Sequence, residues 1–417
     1  ALSNSFAKLD ERIRSWNSLG YGTRHWHGLQ GAVEDFISDA AGKIGSPLPW
    51  NYWAPPRLQG IPGEAIKEIY GAFNGFVTGG KYSAQFGHEV ISSIPSGSIY
   101  FGGTDPGRFI VTMMEKSQVN ADPFYTLTQN ALADNSYLGY LRSMYGGSIY
   151  IPTSEDSQKC FQDYVQDARL RSGEGKLKPG ENVKIDQPSG RIQISGHVAV
   201  MEINGLLVKT IFDKNPDHEF YIEQSFPLDW MYPYLEPHRL IFKLNRQPLP
   251  ELSDEIVQRD HDYWTKMIQP MIGDWLSDDT SVEEITTFAA KVFLRHDFSG
   301  FTGDPQFVQN GYSCKMFSKE RNSIAGLYVW RMKNAADPAT KERMAREADF
   351  AFRQAWALCP YSPEVVTAYV ALLMDENRRA DALLVAETAA KMLEIKGRDG
   401  DAILYLVRVL QTTSAGK

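Results

Sequence analysis

The chain has 417 residues, 43% hydrophobic and 23% charged, which is long for one average domain and argues against a disordered polypeptide. A net charge of -8 without an extended Lys/Arg run argues against a dedicated nucleic-acid binder, which needs a concentrated basic field. Three distant cysteines, Cys160, Cys314 and Cys359, offer neither a disulfide framework nor a zinc-ligand spacing, and no apolar run reaches the roughly 18–20 residues of a spanning helix.

Ala1 in place of Met fits a processed export signal, a trimmed chain or the soluble part of a longer membrane protein equally well. Residues 1–95 read as a mostly helical, aromatic- and Pro-rich segment. Phe6, Leu9, Ile13 and Trp16 recur at helical spacing, and a second helix is expected over 29–43. Prolines forbid a regular helix over 46–56. Trp50, Tyr52 and Trp53 there either pin a loop to the fold or form a platform for a sugar or peptide. Pro62-Gly63-Glu64 opens a further helix, and 81–93 is another candidate.

Residues 96–250 are expected to form an α/β domain with a mostly parallel, Rossmann-like sheet. Strand 98–102 leads to Asp105-Pro106, a helix cap followed by proline at the first helical position. Strand 124–128 leads through Gln129 to Asn135 into a helix carrying Tyr137, Leu138, Leu141 and Met144, ended by Gly146-Gly147. Strand 148–151 leads through Thr153-Ser154-Glu155-Asp156, a capping-box variant, into a helix reaching Arg171. Three strand-loop-helix units in succession predict right-handed crossovers, with all three polar loops at the carboxyl edge of the sheet, where such sheets bind ligands. A hairpin is expected over 183–194, a deeply buried helix over 197–215, and strands over 219–223 and 240–244.

Gly102, Gly103, Thr104, Asp105 and Arg108 form the first candidate ligand site. Glycines let backbone N–H groups approach an anion, and Arg108 can fork onto a phosphate or carboxylate. Thr104 and Asp105 can reach a hydroxyl or a metal; the alternative is a tight turn with Asp105 as cap. The run is neither a dinucleotide fingerprint nor a P-loop. Asn130, Asp134 and Asn135 suit hydroxyl recognition, and they suit capping equally. His25-Trp26-His27 has the spacing of a metal clip without a partnering carboxylate pattern. Asp260-His261-Asp262 and Arg295-His296-Asp297 offer His beside carboxylates, and because adjacent helical residues point different ways they read as surface charges. Neither Gly-x-Ser-x-Gly nor His-Glu-x-x-His occurs. No metal site, cofactor or catalytic residue is assigned.

Residues 251–417 read as an all-α domain. Ala348, Phe352 and Ala355 are followed 34 residues later by Ala382, Ala386 and Ala389, small residues that let helices approach closely. Ala348-x3-Phe352-x2-Ala355-x4-Pro360 resembles the second helix of the tetratricopeptide unit, and 338–396 is similar to such repeats. The second copy has Glu394 in place of the proline and Ala386 in place of the aromatic. Arg378 and Arg379 are expected on a partner-binding face.

The segment from Ser98 to Pro152, with SIYFGGTDPGRF and PFYTLTQNALADNSYLGYLRSMYG, resembles the soluble region that follows the membrane helices in bacterial protein O-mannosyltransferase-like membrane glycosyltransferases. In that class the catalytic acid belongs to the membrane part, so no catalytic residue carries over. The resemblance implies an extracytoplasmic accessory domain. The leading expectation is therefore a non-catalytic interaction module outside the cytoplasm, binding a protein partner or a glycan and associating with a membrane protein. The alternative is a glycosyltransferase-related enzyme or accessory domain that handles a sugar or phosphorylated substrate between 102–108, 129–135 and 152–156. A structural subunit is a third reading, suggested by the aromatic-rich head.

Overall fold

Helices outnumber strands throughout the computed structural model, which describes residues 71–72, 75, 78–103, 106–116, 123–178, 180–185, 192–223, 228–392 and 397–412. The expected helices and loops of 1–70, with His25 and His27, lie outside the described residues, as do Thr104 and Asp105. Among the described residues no helix is long and apolar enough to cross a membrane.

The elements run α1 (Lys81–Ser93), β1 (Ile99–Gly102), a π-turn (Pro106–Ile110) continuing into α2 (Val111–Lys116), β2 (Tyr125–Thr128), a 3-10 turn (Gln129–Ala131) and α3 (Asn135–Tyr145). Next come α4 (Ser154–Gly173), β3 (Asn182–Ile185), β4 (Ile192–Ser195), α5 (His197–Lys214), β5 (Phe220–Ile222), a second 3-10 turn (Asp229–Tyr234), β6 (Leu235–His238) and β7 (Ile241–Leu244). The remainder is helical: α6 (Asp254–Ile272), α7 (Val282–Ala289) with a π-turn (Ala290–Leu294), α8 (Pro305–Gln309), α9 (Gly311–Asn334), α10 (Pro338–Leu358), α11 (Pro363–Asp375), α12 (Arg379–Ala390) and α13 (Gly397–Thr412).

The sheet is mixed, in the order β2-β1-β5-β7-β6. β1 and β2 are parallel, with Ile99 opposite Tyr125 and Gly102 opposite Thr128. β6 and β7 are antiparallel, with His238 opposite Ile241. Their connection is Arg239-Leu240, too short for the crossover that a parallel pair requires. Arg239 takes the left-handed conformation such a turn demands, at φ 56°.

The expected third strand, 148–151, does not form. The backbone of Tyr150 is bonded instead by a side chain: its N–H donates to Asn215 Oδ1 at 2.7 Å, and its carbonyl accepts from Asn215 Nδ2 at 3.1 Å. One carboxamide thus meets the hydrogen-bonding needs that a neighbouring strand would otherwise meet. Helix α5 also departs from expectation. It buries Leu207, Val208, Ile211 and Phe212 but leaves Val200 45% and Leu206 36% exposed, so only one face faces the core.

The chain divides into two compact units, Ala1–Val77 with Ile94–Phe220, and Thr78–Ser93 with Tyr221–Lys417. In the first, Phe101 stacks on Phe220 and Tyr100 meets Phe124 edge-on. Helix α4 starts on a capping box in which Thr153 and Asp156 satisfy each other's backbone N–H groups. β3 and β4 form the expected hairpin, Val183 opposite Ile194, and Val183 packs on the buried cluster of Tyr164, Ala168 and Ala199.

In the second unit α1 joins the helical body: Tyr82 meets Phe307 and Phe86 meets Phe317 edge-on. The largest fully buried side chains include Trp264, Trp356, Tyr328 and Tyr369. Asp304, Asp337 and Ser362 each precede a proline that opens a helix, α8, α10 and α11 respectively, where the missing proline N–H costs no hydrogen bond. Helix α9 pairs with α10, α11 with α12, and α12 with α13.

Candidate functional site

The parallel register of β1 and β2 brings the loops after them side by side. Gly102 ends β1 under the π-turn, where an added Cβ would lie 2.6 Å from the carbonyl oxygen of Gly107. The carbonyl of Gly103 accepts from Asn130 Nδ2 at 3.1 Å. The Asn130 carbonyl accepts from Asn204 Nδ2 at 3.0 Å, and Asn204 Oδ1 accepts from the N–H of Ala133 at 2.7 Å. The Arg108 guanidinium lies over the rings of Phe109 and Tyr137, 4.4 and 5.5 Å from their centroids. Tyr137 Oη in turn accepts from the N–H of Thr128 at 2.6 Å.

Gly102, Gly103, Arg108 and Asn130 are therefore gathered around the ends of the two strands. Asp134 and Asn135 stand at the exposed start of α3, where Asp134 caps the helix by accepting from Ser136 N–H at 2.8 Å. Asn204 and Tyr137 are the members that motif reasoning misses. Asn204 is fully buried on α5, and its signal is a lone carboxamide within an otherwise apolar run. The hydrogen bonds of Asn130, Asn204 and Tyr137 join side chains to backbone, which fixes the course of both loops.

At the third loop, Tyr150, Asp156 and Lys214 form a cluster. Tyr150 Oη donates to Asp156, and Lys214 Nζ reaches Tyr150 Oη at 2.9 Å and Asp156 Oδ1 at 3.1 Å. Burial by itself pushes the Asp156 carboxyl up. Hydrogen bonds from Tyr150, Thr153 N–H and Lys214 outweigh it and hold the pKa at about 2. The cluster staples the start of α4 to the end of α5. Among the described residues no group of three or more His, Cys, Asp or Glu is placed to hold a metal ion.

The second unit offers a different kind of surface. Lys319 of α9 pairs with Glu364 of α11 at 3.2 Å, and Lys333 with Asp375 at 2.9 Å. Early residues meet early and late meet late, so α9 and α11 run parallel. Asn322, Gly326 and Val329 fall between those pairs on one stripe of α9, and Ala368 and Ala371 do so on α11. A Cβ added at Gly326 would meet nothing within 4 Å. Thr367, Ala371 and Met374 are exposed along α11.

Ala348, Phe352, Ala355, Ala382, Ala386 and Ala389 are all buried, on α10 and α12. Phe352 stacks on Tyr369 of α11, and Trp356 Nε1 donates to the carbonyl of Pro360 at 3.3 Å. Arg378 and Arg379 are engaged within the chain itself. Arg378 pairs with Asp349, Glu376 and Asp381, and Arg379 Nη2 donates to the carbonyl of Leu410. Arg378 closes the turn between α11 and α12 and Arg379 opens α12, where they hold helices together.

No family model matches the chain, nor does any curated protein or solved structure.

Proposed function

We propose that the chain is a non-catalytic interaction module whose helix pairs form a tetratricopeptide-like array that takes a protein partner. The observation that carries this reading is the parallel run of α9 and α11, held at both ends by Lys319–Glu364 and Lys333–Asp375. Parallel first helices of successive pairs are what a solenoid stacks, and the face they share is where such arrays receive an extended segment of another protein. Small side chains at Gly326, Ala368 and Ala371 leave room there. The alternative, a sugar or phosphorylated substrate at 102–108, has less support, because Gly103, Asn130 and Asn204 direct hydrogen bonds at one another and at backbone.

Panning a displayed peptide library against the purified chain tests the reading, with Ala371→Arg as the comparison. Ala371 is exposed on α11, so the variant keeps the fold while filling the shared face. Peptides enriched on the parent and lost on the variant support the proposal. Equal enrichment on both, or none on the parent, counts against it.

A further inference from the structure

His261 on α6 lies between two carboxylates contributed by two other parts of the second unit. Its side chain is 19% exposed. Nδ1 is 3.4 Å from Glu347 Oε2 on α10, and Nε2 is 3.5 Å from Asp278 Oδ2 in the connection between α6 and α7. The ring stacks on Phe350 of α10, centroids 4.6 Å apart and planes 20° apart. The charged groups acting on it are thus Glu347 from α10, Asp278 from the connection and Arg321 from α9. Arg321 is itself paired with Asp260, the residue preceding His261, at 2.6 Å.

Both ring nitrogens face acceptors. A neutral imidazole carries no charge to hold either carboxylate, whereas the imidazolium donates to Glu347 and attracts Asp278 by charge. The connection is also held from α10 by Arg353, whose Nη1 donates to the carbonyls of Ser277, Asp278 and Thr280 at 3.4, 2.8 and 2.6 Å. Neutralising His261 therefore loosens one of two ties rather than releasing the segment outright.

We propose that His261 is a pH-operated latch, which in its protonated form ties α6 at once to α10 and to the connection leading into α7. The hydrogen bond to Glu347, with the charges of Glu347 and Asp278, outweighs burial and Arg321 and raises the pKa above its ordinary value of 6.5. A folded-state pKa raised in this way gives stabilisation that is complete below the unfolded value and is lost as pH rises through the folded one. The latch is closed below the ordinary imidazole value and opens as pH rises through the raised folded one.

Amide exchange at Ser277 and Thr280, both hydrogen-bonded within the connection, reads the latch directly in the full chain at pH 6 and pH 8. After correction for the intrinsic pH dependence of exchange, protection in the parent falls about two- to tenfold, the worth of two partly exposed ion pairs. His261→Gln abolishes the fall. Asp278→Asn reduces it; the Asp278 side chain is 66% exposed, so this variant folds even if the first does not. An undiminished fall in Asp278→Asn, or a His261 imidazole titrating at or below 6.5, would overturn the proposal.

Discussion

Gly102 and Gly326 are both glycines within regular structure, yet they call for opposite predictions. At Gly102 a side chain meets the Gly107 backbone at 2.6 Å, and backbone cannot swing aside, so Gly102→Ala costs about 1–3 kcal/mol. At Gly326, inside α9, there is open space, and Gly326→Ala stabilises by about 0.5–1 kcal/mol through helix propensity. Denaturant midpoints of the two variants, at constant m-value, check both signs. The Gly102-Gly103 pair is legible in the sequence as a place of close approach, because a strand ending in two glycines has few other uses. Gly107 and Asn130 approach it, and what holds the Asn130 loop in turn is not legible: the hydrogen bonds of Asn204 to that loop span more than seventy residues, and a buried asparagine looks like any other until its partners are placed.

Among elements, local signals were the readable ones. The start of α4 is visible in Thr153 and Asp156, because a capping box closes within four residues. The hairpin of β3 and β4 is visible for the same reason. The absent third strand shows the limit. Residues 148–151 have strand composition, but strands are made by neighbours, and Asn215, from the end of α5, takes the neighbour's place. A second consequence at this scale concerns acid. Glu181, beside β3, accepts from Arg171, Tyr164 Oη and the Lys178 N–H. Chiefly through Arg171, its pKa is lowered to about 2. A depressed carboxyl contributes stability above its unfolded pKa and loses it as pH falls through the folded one. After correction for the intrinsic pH dependence of exchange, protection within Asn182–Ile185 should fall between about pH 4.5 and pH 2, and Glu181→Gln should remove that acid step.

Across the whole molecule, the 34-residue recurrence, alanine at five of its six positions, is legible because helices that pack closely must repeat whatever allows the approach, and all six positions are buried. The sheet order is not, since which strands pair is decided by contacts far apart in the chain. Nor is the division into units, in which Thr78–Ser93 belongs with residues beyond Tyr221. Buried charge is equally hidden: Arg321 and Asp260 have fully buried side chains, although arginine and aspartate usually mark the surface.

The three cysteines are free and buried, one on α4 of the first unit, one on α9 of the second and one at the end of α10. Burial pushes the Cys160 thiol up and that of Cys359 to about 12, so these two native thiols are poor nucleophiles. The molecule therefore carries its own clocks. A thiol reagent modifies each cysteine at the rate at which its surroundings open, and peptide mapping tells the three apart. If the two units open separately, Cys160 is modified at a rate of its own while Cys314 and Cys359 keep pace with each other. A single common rate would mean that the chain opens as one body.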